Sequence, residues 1–284
     1  MPIRAEYRID EATTLADFLA AKSGLAKARI KECMQKGGVV LSRTGGKFER
    51  SRKAKTRLKP GDLVCLNYDP EILKQEPPTP RLVADLINYS VWDKPPGLLA
   101  QGSQFGDHCS LLRLTQLAFV PQRQAFLVHR LDREASGLML IAHSKKAAAA
   151  LCRIFQAHLV IKQYAITVRG LWDKGGLGRI TLPLDGKEAI TDYQLLAQDP
   201  EQNTSSLLVT LHSGRLHQIR RHFAMSGFPV MGDPKYGRGN KNRTGLALRA
   251  VRLAFDCPLR GQRQDFQLLT PAADGSLLSI PKRV

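Results

Sequence analysis

The segment FLVHRLDREASGLMLIA, residues 126–142, consists of two apolar runs separated by a polar turn that contains glycine. Short apolar runs bounded by turn residues predict buried β-strands, here at 126–128 and 138–142. Asp132 lies in the turn among basic residues, and a nearby guanidinium favours the ionised form of a carboxylate. An ionised carboxylate between buried strands is a candidate nucleophile or base, although a charged surface loop has the same composition.

The sequence on both sides of this segment alternates between strand and helix patterns. Apolar repeats at helical spacing predict two helices, and runs of β-branched and aromatic residues predict further strands. We therefore predict a mixed domain that extends over residues 82–284. Its predicted elements are strands at 86–92, 165–168 and 207–211 and helices at 145–157 and 215–226.

The first 70 residues have a different pattern and predict a small separate module. Residues 12–36 have apolar residues at helical spacing, with a break at Ser23–Gly24 that separates two helices. Strands are predicted at 39–41 and 63–66. The following segment EILKQEPPTPR, residues 71–81, is polar and proline-rich, and this composition is typical of an extended linker.

Positive charge dominates the chain of 284 residues. There are 43 Lys and Arg residues against 25 Asp and Glu, which gives a net charge of +18. The excess is concentrated in two runs, at 27–59 and 234–255. This pattern indicates a polyanionic partner, for which nucleic acid is the first candidate and an anionic membrane surface the second.

Several classes of protein are excluded by composition. No apolar stretch of about 18 residues is present, and the first ten residues contain no apolar signal-peptide core. The five cysteines are scattered without a CxxC pair, which argues against a zinc knuckle or a disulfide framework. We therefore expect a protein of the reducing cytoplasm that is not embedded in a membrane.

A series of motifs in one order resembles the RluA-type pseudouridine synthases. HRLDREASGL, residues 129–138, resembles the catalytic signature of that family, with Ala135 where Ser or Thr is usual. The likeness extends over about residues 86–256. The other matching segments are VWDKPPGLLAQGS (91–103), IKQYAITVRG (161–170), KEAITDYQLL (187–196) and SGRLHQIRRHFAMSGFPVMGDPKYG (213–237).

The resemblance implies a fold and a reaction. The fold would be α/β (mixed α+β), with a central, largely antiparallel sheet crossed by a cleft. The reaction would be the isomerisation of a uridine in RNA to pseudouridine after the base is flipped out of its stack, and it needs no cofactor and no metal. Ribosomal RNA is favoured over transfer RNA as the partner, and a monomer is expected.

The resemblance also assigns roles to individual residues. Asp132 would be the essential catalytic carboxylate, acting either as the nucleophile at C1′ or as the base that removes the 2′ proton. Tyr164 would stack on the uracil, since a phenol has an apolar face and a polar tip. Arg215 would pair with Asp132, while a phosphate contact is the alternative for Arg215. Three further residues are assigned to RNA binding: Arg130, which would enter the stack that the flipped base leaves, Lys162 and Arg220.

The first module resembles the small RNA-binding domain of ribosomal protein S-four. The likeness depends on the order of helix, helix and hairpin and on KARIKECMQKGGVVLS, residues 27–42. Lys27, Arg29 and Lys31 on the second helix are its candidate phosphate contacts. The alternative is a basic module that only packs on its neighbour. With the module at 1–70, we expect the catalytic domain to fold without it.

Two other functions are alternatives for a basic protein of this kind. A non-catalytic RNA-binding or ribosome-assembly protein would explain the charge but would not need Asp132, Tyr164 and Arg215 together. A methyltransferase would need a glycine-rich loop after a strand, and none is evident. Three histidines recur at five-residue spacing, which does not suit metal ligands on one helix face; the central one, His217, is predicted to be a hydrogen-bonding structural residue.

Overall fold

The computed structural model of the protein describes residues 1–237, 239–240, 244–268, 270–271 and 277–278. The chain forms two compact units and crosses between them three times. The first unit contains Met1–Pro78 and Leu99–Gln122, and the second contains Thr79–Leu98 and the described residues from Arg123 onward. Within the described residues, no helix has the length and apolar character needed to cross a membrane.

The first unit has a four-stranded antiparallel sheet in the order β1-β6-β3-β4 and a separate β2-β5 pair. The predicted pair of helices is confirmed, and Gly24 ends the first in the left-handed conformation that glycine adopts easily. Apolar side chains of both helices form one core with the sheet. The elements are β1 (Ile3–Arg8), β2 (Thr13–Thr14), α1 (Leu15–Ser23), α2 (Lys27–Gln35), β3 (Val39–Ser42), β4 (Glu49–Arg50), β5 (Arg57–Leu58), β6 (Leu63–Tyr68), α3 (Pro70–Leu73) and α4 (Leu111–Leu117).

The structure divides the chain differently from the ranges 1–70, 71–81 and 82–284. The start of the expected extended linker is helical, because Asp69 caps α3 by accepting hydrogen bonds from two backbone amides. The segment Leu99–Gln122, expected in the second domain, belongs to the first unit. There Asp107 forms ion pairs with Arg50 and Arg52, and its backbone amide donates to the carbonyl of Lys36 at 2.9 Å.

The second unit is built on a ten-stranded sheet. Its main path is β12-β13-β14-β11-β15-β10-β8-β7, and β9 and β16 pair with β10 and β15. Among the described strand pairs of this sheet, only β10 and β15 run parallel, which confirms the predicted mixed fold with a largely antiparallel sheet. The elements are β7 (Arg81–Asp85), β8 (Tyr89–Lys94), β9 (Phe126–Leu127), β10 (Ser136–Ala142), α5 (Lys145–Gln156), β11 (Ile161–Arg169), β12 (Leu177–Ile180), β13 (Thr191–Asp199), β14 (Thr204–Leu211), α6 (Gln218–Met225), β15 (Leu248–Asp256), β16 (Arg263–Gln267), and the pair β17 (Thr270–Pro271) and β18 (Leu277–Leu278).

Gly137 allows the close approach of β10 and β15. Its φ is +107°, and a Cβ atom at this position would lie 2.2 Å from the carbonyl oxygen of Ala250. No side chain fits at that distance, and the backbone angle also favours glycine. Glycine at position 137 therefore permits β10 to pair with β15 directly after the polar turn.

Candidate active site

The second unit contains a cavity of about 580 Å³, within the range of roughly 300–1,000 Å³ typical of ligand pockets. Its walls are the turn between β9 and β10, the end of α5 with His158, the start of β11 and the turn that leads into α6, together with single residues of β14 and β15. Lining residues include Arg130, Asp132, Lys162, Tyr164, Arg215, Leu216, His217 and Arg220. The candidate site residues predicted in this unit are thus brought together.

Asp132 is held by Arg220. Nη1 of Arg220 donates to Oδ2 of Asp132 at 2.8 Å, and Nε and Nη2 donate to the two carboxylate oxygens of Asp233, each at 2.8 Å. The Arg220 side chain is only 4% exposed and that of Asp233 is fully buried. Burial alone would raise the pKa of Asp233, but hydrogen bonds from Arg220 and two backbone amides lower it. A fixed guanidinium between two carboxylates therefore orients Asp132.

The prediction that Arg215 pairs with Asp132 is wrong, because Arg220 is the arginine that pairs with this carboxylate. Nε of Arg215 donates to the carbonyl of Glu188 at 2.9 Å. Helix α6 begins at Gln218, three residues later than predicted, so Arg215 lies in the preceding turn. Arg220, in the first turn of the helix, is the arginine that meets the carboxylate.

Tyr164 lies on β11 and lines the cavity. Its side chain is largely buried. Burial raises the pKa of the phenol, and the negative charge of Asp132 raises it further. Tyr164 is therefore a protonated phenol at neutral pH.

Lys162, on the same strand, also lines the cavity and is 9% exposed. Burial lowers the pKa of its ammonium group. Other buried cationic side chains have partners, as Arg220 has in Asp132 and Asp233. For Lys162 the described part of the chain supplies no hydrogen bond or ion pair. Keeping a cation buried without a partner costs free energy, which favours a role in binding.

His217 stands beside the pair of Asp132 and Arg220. It has a φ of +53°, and Nδ1 lies 2.9 Å from the hydroxyl of Tyr236, which confirms the prediction of a hydrogen-bonding histidine. Nε2 lies 3.7 Å from Oδ2 of Asp132. Burial lowers the pKa of His217, so the imidazole is neutral at neutral pH and adds no second cation beside Asp132.

Lys94 supports the turn that carries Asp132. Its fully buried ammonium group donates to the carbonyls of Pro95, Leu98 and Arg133 at 3.1, 2.8 and 3.0 Å. Desolvation lowers its pKa to about 8. The KPPG segment, matched without a role in the sequence, therefore anchors the backbone one residue after Asp132.

His129 fixes the other side of the same turn. Its Nε2 accepts a hydrogen bond from the backbone amide of Leu140 at 3.0 Å, and its ring stacks on Phe155 with centroids 4.4 Å apart. Burial lowers the pKa of His129 to about 3, which keeps the accepting nitrogen unprotonated. The imidazole thus ties the turn to β10.

The remaining predicted RNA-binding residues are distributed over both units. Arg130 is exposed and lines the cavity in the second unit. In the first unit, Lys27 and Arg29 form exposed ion pairs with Asp17 and Glu32, and Lys31 is exposed. Exposed pairs of this kind contribute little free energy. Part of the predicted basic run at 234–255 (238 and 241–243) lies outside the described residues.

Sequence reasoning missed three members of the site. Asp233 and Tyr236 belong to the matched segment GDPKYG but received no role, and Lys94 belongs to the matched KPPG segment. The buried aspartate is the second partner of Arg220, and the tyrosine is the partner of His217. The signal that could have identified Asp233 is an acidic residue directly after Gly232, downstream of the arginine-containing helix α6.

Comparison with known proteins identifies the family. Residues 88–225 match the family described as RNA pseudouridylate synthase. The chain is 30% identical to an uncharacterised RNA pseudouridine synthase of Aquifex aeolicus, over 96% of each chain. The chain belongs to the RNA pseudouridine synthases. It is an isomerase of RNA uridine, and RNA is its substrate.

Named relatives include enzymes for two kinds of RNA. The synthase is 31% identical to the ribosomal large subunit pseudouridine synthase D of Xanthomonas campestris, over 84% of this chain and 79% of the relative. It is 34% identical to the tRNA pseudouridine synthase C of Pasteurella multocida, over 60% of this chain and 83% of the relative.

A solved structure shares the fold. Human RNA pseudouridylate synthase domain containing 1 superimposes with a TM-score of 0.59 at 22% identity, covering 74% of this chain and 94% of that one.

Proposed function

We propose that this pseudouridine synthase modifies ribosomal rather than transfer RNA and that Asp132 is its catalytic carboxylate. One observation carries the catalytic assignment: Asp132 lines a cavity with Tyr164 and is fixed by an almost fully buried arginine. The choice of ribosomal RNA is supported by the basic first unit and by the similarity to a ribosomal large subunit enzyme over most of both chains.

The hydrogen bond from Arg220 engages Oδ2 of Asp132, which leaves Oδ1 for the substrate. In the nucleophilic route, Oδ1 bonds to C1′ as the C1′–N1 bond breaks and uracil leaves as an anion. The uracil turns, C5 bonds to C1′ and the carboxylate leaves. The C5 proton is then lost, and N1 gains a proton.

In the alternative route, Asp132 removes the 2′ proton as N1 departs, which leaves a glycal and a protonated Asp132. The acid then returns the proton to C2′ as C5 bonds to C1′. Both routes give the carboxylate negative charge as it is released, and the guanidinium of Arg220 stabilises that charge. Arg220 therefore acts in either route without moving.

Tyr164 and Lys162 bind the flipped nucleotide in this proposal. The aromatic face of Tyr164 packs on the uracil, and its protonated hydroxyl can donate a hydrogen bond. The ammonium group of Lys162, which has no partner in the described protein, donates to an oxygen of the nucleotide. This contact repays part of the cost of burying the cation.

The first unit supplies further RNA contacts. We assign it as an S-four-like domain in which Lys27, Arg29 and Lys31 on α2 contact phosphates, which positions the RNA without reading its sequence. The enzyme acts as a monomer in the cytoplasm, where the five free thiols remain reduced.

Asp132→Asn tests the catalytic assignment. The amide keeps the shape of the side chain but is neither a nucleophile nor a base. We expect RNA binding in a filter assay to remain within about threefold of wild type, while release of tritium from RNA containing 5-tritiated uridine stops. Tritium release at the wild-type rate would remove Asp132 from the mechanism.

Mapping of pseudouridines in cells with and without the protein tests the substrate. We expect a site in ribosomal RNA to disappear when the protein is absent, and transfer RNA to be unchanged. Loss of a transfer RNA site alone would contradict the proposed substrate but not the chemistry.

A further inference from the structure

Lys162 differs from the other buried cations of the described residues. It is 9% exposed, and burial lowers the pKa of its ammonium group with no hydrogen bond or charge of the protein to offset the effect. Lys94 donates to three carbonyl oxygens, Arg220 binds two aspartates, and Arg252 binds one aspartate through two nitrogens. Lys162 is therefore the buried cation that still needs an acceptor.

The nitrogen of Lys162 is open to the cavity. The described side-chain nitrogen and oxygen atoms that are fully enclosed without a hydrogen bond belong to other residues, such as Thr115 and Asn240. Nζ of Lys162 therefore keeps accessible surface, and its side chain lines the cavity. Among the described residues that line the cavity, Asp132 is the one carboxylate, and Arg220 already binds it. The acceptor for Lys162 must come from the ligand.

Lys162 lies farther from Asp132 than Tyr164 does. The charge of Asp132 raises the pKa of Tyr164, whereas burial alone acts on the pKa of Lys162. Lys162 and Tyr164 are two residues apart on β11 and both line the cavity. Residues at this spacing on a strand are separated by roughly 6.6 Å. A nucleotide whose C1′ lies at Asp132 therefore presents the far end of its base to Lys162.

We propose that Lys162 donates a hydrogen bond to O4 of the target uracil and thereby selects uridine over cytidine. The inference rests on the proposed function, which places C1′ at Asp132 and the base in this cavity. O4 is the atom of the uracil ring system that lies farthest from C1′. An ammonium group has three donors and no acceptor, so it pairs with a carbonyl oxygen but not with the 4-amino group of cytosine. Bound cytidine would leave the buried cation facing another donor.

The symmetry of uracil preserves this contact through the reaction. The line through N3 and C6 relates N1 to C5 and O2 to O4. When the detached uracil turns about this line to present C5 to C1′, O2 takes the place of O4. Lys162 thus meets a carbonyl oxygen before and after the turn without moving. Its fixed charge also stabilises the negative charge that the detached uracil carries on these oxygens.

The experiment uses two RNA hairpins, cut from the site that pseudouridine mapping finds, which carry either uridine or cytidine at the target position. Binding is measured with the full chain in an Asp132→Asn background, where the RNA is not turned over. We expect the uridine hairpin to bind about tenfold more tightly, which equals about 1.4 kcal/mol. Lys162→Met removes the donor and should reduce this preference to within about twofold.

Two further variants in this background isolate the contact. Lys146→Met removes an exposed lysine of the second unit that does not line the cavity. Loss of a phosphate contact weakens both hairpins equally, so Lys146→Met should keep the preference for uridine. Lys162→Gln supplies an amide that can also accept a hydrogen bond from the 4-amino group. It should bind the cytidine hairpin more tightly than the background protein does.

Turnover and stability separate a substrate contact from a structural residue. With Asp132 intact, Lys162→Met should lower kcat for tritium release by about 10²-fold. Its stability in urea should not fall, because the unpartnered cation is replaced by an apolar side chain. A preference for uridine that survives Lys162→Met, equal binding of both hairpins by the background protein, or an unchanged kcat would overturn the proposal. If the wild-type protein turns over no RNA at all, the proposed function fails instead.

Discussion

Arg220 illustrates how one buried side chain can organise a site. Its three donating nitrogens bind one carboxylate that lines the cavity and another that is fully buried. The buried carboxylate is paired on both oxygens, so it fixes the plane of the guanidinium. The position of Asp132 therefore depends, through Arg220, on Asp233, which is buried and does not line the cavity.

Replacing each of two arginines by lysine tests which one serves Asp132. Arg220→Lys keeps the charge but cannot donate to both carboxylates in the same plane. We expect kcat in the tritium-release assay to fall by about 10²–10³, the usual cost of losing a fixed donor. Arg215→Lys, whose arginine contacts a backbone carbonyl, should lose less than about tenfold. The reverse order would restore the pairing that the sequence suggested.

At this scale the sequence identified Asp132, Tyr164 and Lys162 by motif, and the structure brings them to one cavity. The sequence pattern did not identify Arg220 as the arginine that pairs with Asp132. The start of α6 is set by Gln218, whose side chain binds Ile190 and Thr191 nearly thirty positions earlier. That tertiary contact leaves no local pattern, and the local pattern alone predicts a helix from residue 215.

Among the elements, the turn between β9 and β10 is held by the imidazole of His129. Its Nε2 can accept the hydrogen bond from the backbone amide of Leu140 only while it is unprotonated. The pKa of His129 is lowered to about 3 in the folded protein, against about 6.5 in an unfolded chain. The unfolded state therefore takes up a proton first as the pH falls. The stability contributed by this group is complete above about pH 6.5 and is lost progressively toward pH 3.

We expect this linkage to show in the pH dependence of unfolding. His129→Gln keeps a side-chain acceptor but does not titrate. Between pH 6.5 and 4, the free energy of unfolding by urea should fall more steeply in wild type than in His129→Gln, by up to about 1.4 kcal/mol per pH unit. His158→Gln, which changes an exposed histidine, is the matched control. Parallel curves for wild type and His129→Gln would show that His129 is not buried neutral.

The junction of β10 and β15 gives a second prediction at this scale. Gly137→Ala would place a methyl group 2.2 Å from a backbone oxygen, at a φ that side chains rarely adopt. We expect a loss of about 3 kcal/mol or more in unfolding free energy, because the strands must separate. Gly176→Ala, where nothing lies within 4 Å, should change stability little. Equal stability of the two variants would contradict the register described here.

The elements that periodicity predicted are present, but others, among them helix α3 and strands β1, β7 and β15, were not predicted. Each strand and helix predicted from periodicity has a counterpart in the structure, because apolar spacing and glycine breaks report directly on local geometry. The helix α4 was not predicted. Its residues, LLRLTQL, form a short run between two turns, and this run alone does not distinguish a helix from a strand.

For the whole molecule, the position of Leu99–Gln122 changes what a truncation should do. This segment packs with the first unit through the ion pairs of Asp107. Attraction between residues more than fifty positions apart is not visible in a local sequence pattern. The sequence therefore assigned the segment to the catalytic domain, which was expected to fold without residues 1–70.

Deletion of residues 1–78 should now leave the segment 99–122 without the strands on which it packs. We expect limited proteolysis to cut the truncated protein within 99–122, while the sheet of the second unit stays intact by circular dichroism. A companion variant that also replaces 99–122 with a short Gly-Ser linker should resist the protease. Equal resistance of the two truncated proteins would contradict the interleaved arrangement.

The interleaving has a consequence for engineering. The chain enters the first unit a second time two residues after the KPPG segment and returns just before the strand that leads to Asp132. A graft of only the amino-terminal portion from a relative would therefore join parts of two different first units. A chimera that exchanges the first unit must transplant residues 99–122 together with residues 1–78, because one compact unit is encoded by two separate stretches of the chain.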